Sequence, residues 1–191
     1  MNITIIGAGR VAWSLIPALQ STSAKVHQLI SRNTNRRALF LNEYKIQYSH
    51  NSFSDLRPDT DLVILTVPDA QVASVAEALK PFSQNPKTII AHTSGSVSIE
   101  ALKSWGEHAG VFYPMQTFTL EKVKPYHGVQ LFLEGNEEVL TKLKPLAKAM
   151  TSQVYTLDTE ARAKLHLGAV MVCNFTNLLY TYADEMISGV D

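Results

Sequence analysis

Residues 1–19, MNITIIGAGRVAWSLIPAL, are the stretch that decides the fold of this chain. The apolar run over residues 3–7 predicts a buried strand, and a helical pattern follows it directly. Between them Gly7, Gly9 and Ala12 form a G-x-G-x-x-A pattern. Such a turn binds a dinucleotide pyrophosphate, because the helix N-terminus offers it free N–H groups. The strand–turn–helix context disfavours the alternative, a glycine turn without a ligand. The cofactor-binding residues predicted here are Gly7, Ala8, Gly9, Arg10 and Val11.

The end of the second predicted strand, residues 26–31, indicates which dinucleotide is bound. In NAD-binding units an acidic residue about 20 positions beyond the glycines holds the ribose 2′-hydroxyl. Here the strand ends at Ser31, which Arg32 and Asn33 follow directly, and the next acidic residue is Glu43. A hydroxyl and a guanidinium suit a 2′-phosphate, which a carboxylate would repel. We therefore predict NADP, with solvated arginines at a helix start as the alternative.

Strands and helices alternate along the chain, which predicts an α/β protein with a doubly wound, Rossmann-like parallel sheet. Strands are predicted at 3–7, 26–31, 46–48, 61–67, 87–95, 110–114, 129–135 and 153–157, and helices at 10–20, 34–43, 69–79 and 136–149. We assign residues 1–157 to this dinucleotide-binding domain. Residues 158–191 are predicted to be the first helix of an all-helical domain, for dimerisation or substrate binding, that the sequence leaves incomplete.

The composition restricts the classes of partner. Of the 191 residues 46% are hydrophobic and 18% charged, which is typical of a packed globular core. Seventeen Lys and Arg balance 17 Asp and Glu, which gives no support for binding to nucleic acid or an anionic membrane. The sequence contains no run of about 18 apolar residues, so no membrane span is predicted. A single cysteine, Cys173, favours a reducing compartment, the cytoplasm. No metal-binding pattern is present.

Polar clusters follow three of the predicted strands, where ligands of doubly wound sheets bind. They are TVPDA at 66–70, HTSGS at 92–96 and FYPMQTFT at 112–119. The first would contact the nicotinamide side of the cofactor, and its Asp69 is the predicted N-cap of the next helix. Loop capping by small polar residues is the alternative, and we interpret His92 as a structural histidine. The residues predicted to bind cofactor are Val67, Pro68 and Asp69, and those predicted to bind substrate are Thr93, Ser94 and Gln116.

From residue 159 onward the pattern predicts one long helix that is apolar on more than one side. Such a helix cannot bury its own faces, so it requires a second subunit or further parts of a longer protein. His166 and Asn174 are eight residues apart, and an α-helix places them within about 80° of each other. We predict them as catalytic residues that protonate a carbonyl or imine during hydride transfer. Hydrogen-bonded polar residues at an interface are the alternative.

Six motifs carry a resemblance over essentially the whole chain: GAGRVAWSL, LTVPDAQV, HTSGS, GVFYPMQTF, LFLEGNEE and LHLGAVMVCNF. With them the chain resembles an uncharacterised bacterial family of NADP-dependent oxidoreductases with a Rossmann-like N-terminal domain and a helical C-terminal domain. More distantly it is similar to pyrroline-5-carboxylate reductase, to the deazaflavin-dependent NADP reductases and to the β-hydroxyacid dehydrogenases. The SRN of residues 31–33 resembles the 2′-phosphate site of the deazaflavin-linked group.

The resemblance implies an NADP(H)-dependent oxidoreductase that reduces a small carbonyl or imine and forms a homodimer through the helical segment. Matching GAVMVCNF to the β-hydroxyacid dehydrogenases places Met171 at their catalytic lysine and Asn174 near their asparagine. Because methionine cannot transfer a proton, His166 takes this role in our prediction. The alternatives are a non-catalytic NADP(H)-binding or redox-sensing protein and a deazaflavin-linked reductase.

Overall fold

The computed structural model describes residues 1–120 and 125–188. Its strands are β1 (Asn2–Ile6), β2 (Lys25–Ile30), β3 (Tyr48–His50), β4 (Leu62–Leu65), β5 (Ile89–His92), β6 (Ala109–Met115), β7 (Gln130–Gly135) and β8 (Val154–Thr156). Its helices are α1 (Arg10–Gln20), α2 (Thr34–Glu43), α3 (Val72–Ala78), α4 (Glu137–Met150), α5 (Thr159–Val170) and α6 (Thr176–Ile187).

The eight strands form one sheet in the order β3-β2-β1-β4-β5-β6-β7-β8. The first six of these are parallel, as the Rossmann-like prediction requires. β7 pairs antiparallel with β6, and β8 runs parallel to β7, so the prediction of a fully parallel sheet was wrong for the last two strands. A parallel return needs a crossover, usually a helix. The described residues between β6 and β7 form no helix, and β7 therefore returns beside β6 in the opposite direction.

The core lies on both faces of the sheet, because successive strand residues point to opposite sides. In β4, Leu62 and Ile64 pack into the cluster that contains α1 and α4, whereas Val63 and Leu65 pack into the cluster with α3. All four side chains are buried. This explains why the strand is a continuous apolar run, as expected of a central parallel strand.

Three local differences from the prediction concern short elements. The third strand is Tyr48–His50 instead of 46–48. The predicted helix over 69–79 is split into a 3₁₀ turn, Asp69–Gln71, and α3. A 3₁₀ helix over Ile99–His108 follows β5, where no element was predicted.

The C-terminal segment is helical from α5 to α6, with a π-helical turn at Met171–Phe175 between them. From residue 171 to residue 188 every side chain is exposed. The large apolar side chains among them include Val172, Leu179, Tyr180, Met186 and Ile187. As expected from its pattern, this helix does not bury its apolar faces against the described residues. No helix within residues 1–120 and 125–188 is long and apolar enough to cross a membrane.

Candidate functional site

The turn between β1 and α1 has the geometry that a phosphate-binding loop requires. Gly7 has a φ of +107°, and its N–H donates to the carbonyl of Ile30 at 2.8 Å. A Cβ on Gly7 would lie 2.9 Å from the carbonyl oxygen of Thr66, too close for any side chain. A glycine is therefore required here by both conformation and space.

The N-terminus of α1 is open to a ligand. A Cβ on Gly9 would make only an ordinary 3.6 Å contact with Thr66, so the described residues do not require a glycine there. No side chain of a described residue caps α1. The backbone N–H groups of its first turn, at Arg10 and Val11, are therefore free to bind an anion. Ala12 is fully buried, which lets α1 pack closely on the sheet. These residues fit a dinucleotide pyrophosphate.

Residues 31–37 form a basic segment beside this turn. Asn33 caps α2, because its Oδ1 accepts the backbone N–H of Arg36 at 3.0 Å. The Arg36 side chain reaches back to the glycine turn and donates to the carbonyl of Ala8 at 3.4 Å. The structure thus gives the Asn33 side chain a structural task, and its contact with the cofactor stays a prediction.

The remaining arginines of this segment carry charge at the predicted 2′-phosphate position. Arg37 Nη1 donates to the carbonyl of Ser31 at 2.8 Å, which holds one guanidinium against the end of β2. Arg32 is exposed and makes no side-chain hydrogen bond to a described residue, so its guanidinium is available to a ligand. No carboxylate lies between Ser31 and Asn42.

The loops after β4 and β5 are joined through Asp69. Its Oδ2 accepts the hydroxyl of Ser96 at 2.7 Å. Asp69 does not cap a helix as predicted, because α3 begins only at Val72, and the N-cap of the 3₁₀ turn before α3 is Pro68. Val67 is half-buried and Pro68 exposed at this edge.

The hydroxyls predicted to bind substrate take part in local hydrogen bonds. Thr93 Oγ1 donates to the carbonyl of Leu65 at 3.0 Å. Ser94 Oγ accepts the N–H groups of Ser96 and Val97 at 3.2 and 3.1 Å. Their role toward a substrate stays a prediction.

His92 is fully buried, and its Nδ1 accepts the N–H of Ser94 at 3.2 Å. Burial, together with the nearby Arg162 guanidinium, lowers the pKa of His92 to about 4. His92 is therefore neutral at pH 7, as expected of a structural histidine.

Arg162 organises the loop after β5, and the sequence analysis missed it. Its side chain is fully buried and pairs with Glu134, with Nη2 2.8 Å from Oε2. Arg162 Nη1 also donates to the carbonyls of Ser94, Gly95 and Val97 at 3.2, 3.1 and 2.9 Å. This network fixes α5 to the sheet. Two features of the sequence could have indicated this pair: an arginine near the start of an apolar helix, and Glu134 within the motif LFLEGNEE.

A cleft of about 320 Å³ opens between the carboxyl end of β6 and the C-terminal helix. It brings together His166, Asn174 and Gln116, which were predicted separately as catalytic and substrate-binding residues. The π turn contributes to this, since its i→i+5 hydrogen bonds add a residue to the turn and change the face that Asn174 occupies. The lining residues are Tyr113, Met115, Gln116, Thr117, His166, Ala169, Val170, Cys173 and Asn174.

Tyr113 and His166 form a hydrogen-bonded pair in the wall of this cleft. The phenol oxygen lies 2.9 Å from Nδ1, and the rings meet edge to face at 5.7 Å. A Cβ on Gly95 would lie 2.5 Å from His166 Nδ1 and 2.7 Å from Tyr113 Cζ, so the pair packs directly on this glycine. Burial raises the pKa of Tyr113, which keeps the phenol protonated at neutral pH.

Direct contacts connect the glycine turn with the cleft along one edge of the sheet. Thr66 Oγ1 donates to the carbonyl of Gly7 at 3.1 Å, and Thr66 immediately precedes the loop that carries Asp69. Asp69 holds Ser96, which neighbours Gly95 under the Tyr113–His166 pair. Among residues 1–120 and 125–188 no group of three or more His, Cys, Asp or Glu is placed to hold a metal ion.

Comparison with known proteins identifies the family. The family model described as "NADP oxidoreductase coenzyme F420-dependent" matches residues 2–95, and a domain of unknown function, DUF2520, matches residues 129–191. A crystal structure of a "putative NADP oxidoreductase" from Bacteroides fragilis has 30% identity and a TM-score of 0.84, over 98% of this chain and 72% of that chain. This chain belongs to that NADP oxidoreductase family. The predicted family and α/β class are thereby confirmed, as is a nicotinamide nucleotide as the cofactor.

Two further structures share the fold. Prephenate dehydrogenase from Aquifex aeolicus, in complex with hydroxyphenyl propionate and NAD⁺, has 16% identity and a TM-score of 0.74 over 85% of this chain and 61% of that one. An imine reductase from Streptomyces aurantiacus has 14% identity and a TM-score of 0.71 over 95% and 64%. A comparison with curated proteins gave no match.

Proposed function

We propose that this oxidoreductase uses NADPH to reduce a small carbonyl or imine compound bound in the cleft between β6 and the C-terminal helix. The observation that carries the proposal is the cleft itself. It lies at the carboxyl edge of the sheet, beside the loops that a nicotinamide would contact, and its wall holds a histidine and two side-chain amides.

The preference for NADPH is supported by the basic segment after β2. The Arg32 guanidinium is available to a 2′-phosphate, and Arg36 and Arg37 lie one turn further on, with no carboxylate near them in sequence. A phosphate here would form charge-assisted hydrogen bonds, and the 2′-hydroxyl of NAD would leave the arginine charges unmatched.

The side chains of the cleft have distinct tasks in this proposal. When bound, the nicotinamide supplies a hydride. His166 gives a proton to the oxygen or nitrogen that becomes negative, and the amides of Asn174 and Gln116 hydrogen-bond that group. Thr93 and Ser94 would contact the substrate from the loop after β5.

Titration and turnover together test the proposal. The purified chain would be titrated with NADPH and NADH, and then assayed for NADPH oxidation with a panel of small aldehydes, ketones and cyclic imines. We expect tighter binding of NADPH and turnover with a subset of the panel that His166→Gln reduces by about 100-fold, since a general acid contributes roughly 10²–10⁴.

A non-catalytic NADP(H)-binding protein is the second candidate, favoured by Met171 at the lysine position. Met171 is 59% exposed on the π turn and offers no proton. Tight NADPH binding without turnover of any compound would support this candidate. Reduction of NADP that requires an added reduced deazaflavin would instead identify a deazaflavin-linked reductase.

We also propose that a second copy of the chain covers the exposed C-terminal helix. Phe175, Leu179 and Ile187 are each more than half exposed, and burial of such side chains contributes about 1.5–3 kcal/mol each. Light scattering after gel filtration tests this: we expect a dimer that Leu179→Glu dissociates. A wild-type monomer would contradict it.

A further inference from the structure

We propose that Tyr113 is the positioning residue of His166: it holds Nδ1, so that Nε2 is the nitrogen that exchanges a proton with the substrate. The inference rests on the proposed function for its chemistry, and on the Tyr113–His166–Gly95 packing for its geometry.

The direction of the hydrogen bond follows from the burial of the phenol. Tyr113 is only 7% exposed, and among the described residues His166 Nδ1 is the only hydrogen-bond partner of its hydroxyl. If a neutral His166 carried its proton on Nδ1, the Tyr113 hydroxyl hydrogen would have no acceptor among the described residues and would have to turn toward the cleft, whereas donation to Nδ1 satisfies both groups. The phenol therefore donates to Nδ1 of the neutral ring, and the ring proton is on Nε2.

The same contact persists when His166 becomes charged. A hydroxyl both donates and accepts, so the phenol oxygen accepts from Nδ1–H once the ring is protonated on both nitrogens, and the phenol hydrogen then turns toward the cleft that Tyr113 lines. Nε2 makes no hydrogen bond to a described residue, and the ring lines the cleft. Tyr113 thus matches both protonation states without releasing the ring, and Nε2 stays available to the substrate.

The proton balance of the step is simple. The carbonyl or imine carbon receives a hydride with its electron pair, which the nicotinamide would supply when bound. The π pair of that double bond moves to oxygen or nitrogen, which takes the proton of His166 Nε2. Loss of the Nε2 proton leaves a neutral ring with its proton on Nδ1, which donates to the Tyr113 oxygen. This is the less stable neutral tautomer, and uptake of a solvent proton on Nε2 restores the imidazolium.

The surroundings restrict other positions of the His166 ring. Gly95 leaves no room for a side chain beneath the two rings, and Arg162 clamps the carbonyl of Gly95 from α5. Among the described residues, the charged or titratable groups near the pair include Arg162, Asp69 and Cys173. The charge of Arg162 is already paired with Glu134.

The test uses ¹⁵N NMR of the histidine rings in the free chain at alkaline pH, with the His166 signals assigned by their loss in His166→Gln. We expect wild-type His166 to be the Nε2–H tautomer with a hydrogen-bonded Nδ1. In Tyr113→Phe the Nδ1 resonance should shift to that of a free lone pair, and an Nδ1–H population should appear. Tyr155→Phe is the matched control, because its 47% exposed phenol stacks on Phe132 and makes no hydrogen bond to His166.

Kinetics with any substrate of the panel give the second readout. Tyr113→Phe should lower kcat about 5- to 10-fold, the effect of one hydrogen bond, with the NADPH affinity unchanged. A wild-type Nδ1–H tautomer, or identical spectra for Tyr113→Phe and wild type, overturns the positioning role. Because NMR needs neither cofactor nor substrate, lack of turnover refutes only the proposed function, and the wild-type spectrum decides even if the variant does not fold.

Discussion

Replacing Arg162 by methionine should be strongly destabilising, because this change leaves the largely buried carboxylate of Glu134 without its cationic partner and with only the Thr159 hydroxyl as a donor among the described residues. The Arg162 side chain is fully buried and that of Glu134 is 13% exposed. Removing one partner of a buried ion pair costs about 3–5 kcal/mol, since the remaining charge is desolvated and uncompensated. Helix propensity does not contribute, as Arg and Met are nearly equal in this respect.

The magnitude is supported by the other contacts of the guanidinium. Its Nη1 is the donor to the carbonyls of Ser94, Gly95 and Val97, and its Nη2 also donates to Thr159 Oγ1 at 3.3 Å. Each carbonyl left without a donor adds to the loss wherever water cannot reach it. A loss of about 3–5 kcal/mol is a large part of the roughly 5–15 kcal/mol that stabilise a typical domain.

Urea unfolding of three variants measures this contribution. The matched control is Lys164→Met in the same helix, where an i,i+4 pair with Glu160 joins side chains that are 74% and 78% exposed. Such a surface pair contributes only about 0.3–0.5 kcal/mol. Arg162→Met combined with Glu134→Gln should be more stable than Arg162→Met alone, because the unpaired charge is gone. A loss for Arg162→Met no larger than that for Lys164→Met would refute our account of the network.

Three further predictions concern the cofactor site, the cleft and pH. Arg32→Ala should weaken NADPH binding more than tenfold in a fluorescence titration, since a charge-assisted contact contributes about 1.5–3 kcal/mol, and NADH binding should not change. Equal losses for both cofactors would contradict the 2′-phosphate assignment. Gly95→Ala should lower kcat at least as much as Tyr113→Phe, because the alanine Cβ would displace the rings of His166 and Tyr113. Unchanged kinetics would show that the two rings do not pack closely on Gly95. Stability should fall as the pH drops from about 6.5 to about 4, because only the unfolded chain protonates His92 in this range. The maximum loss is about 3 kcal/mol, and urea unfolding against pH should show it in wild type but not in His92→Gln.

The part of the cofactor site that was predictable from sequence rests on local chemistry. A tight turn with positive φ requires glycine at Gly7 whatever lies around it, and the N-terminus of the following helix is open because Gly9 has no side chain to cap it. The absence of an acidic residue after β2 is equally a property of adjacent positions. Such features depend only on residues that are adjacent in the sequence.

The direction of β7 was not predictable in this way. Its apolar alternation is the same for a parallel and an antiparallel strand, and the direction depends on how the chain returns from β6. The position of Asn174 was predicted with α-helical geometry, and the cleft contains it, but the π turn at Met171–Phe175 that sets its face has no pattern in the sequence.

The contacts of the cleft were decided by the tertiary structure alone. Tyr113 and His166 are 53 residues apart, and Arg162 and Glu134 are 28 apart. Each is an ordinary polar residue until the sheet and α5 bring it to its partner and remove the water between them. The sequence by itself determined the glycine turn, the basic segment after β2 and the α/β class, because these depend on backbone conformation and periodicity. Only folding decided which side chains share the cleft, because burial and hydrogen-bond partners are properties of residues that are distant in the chain.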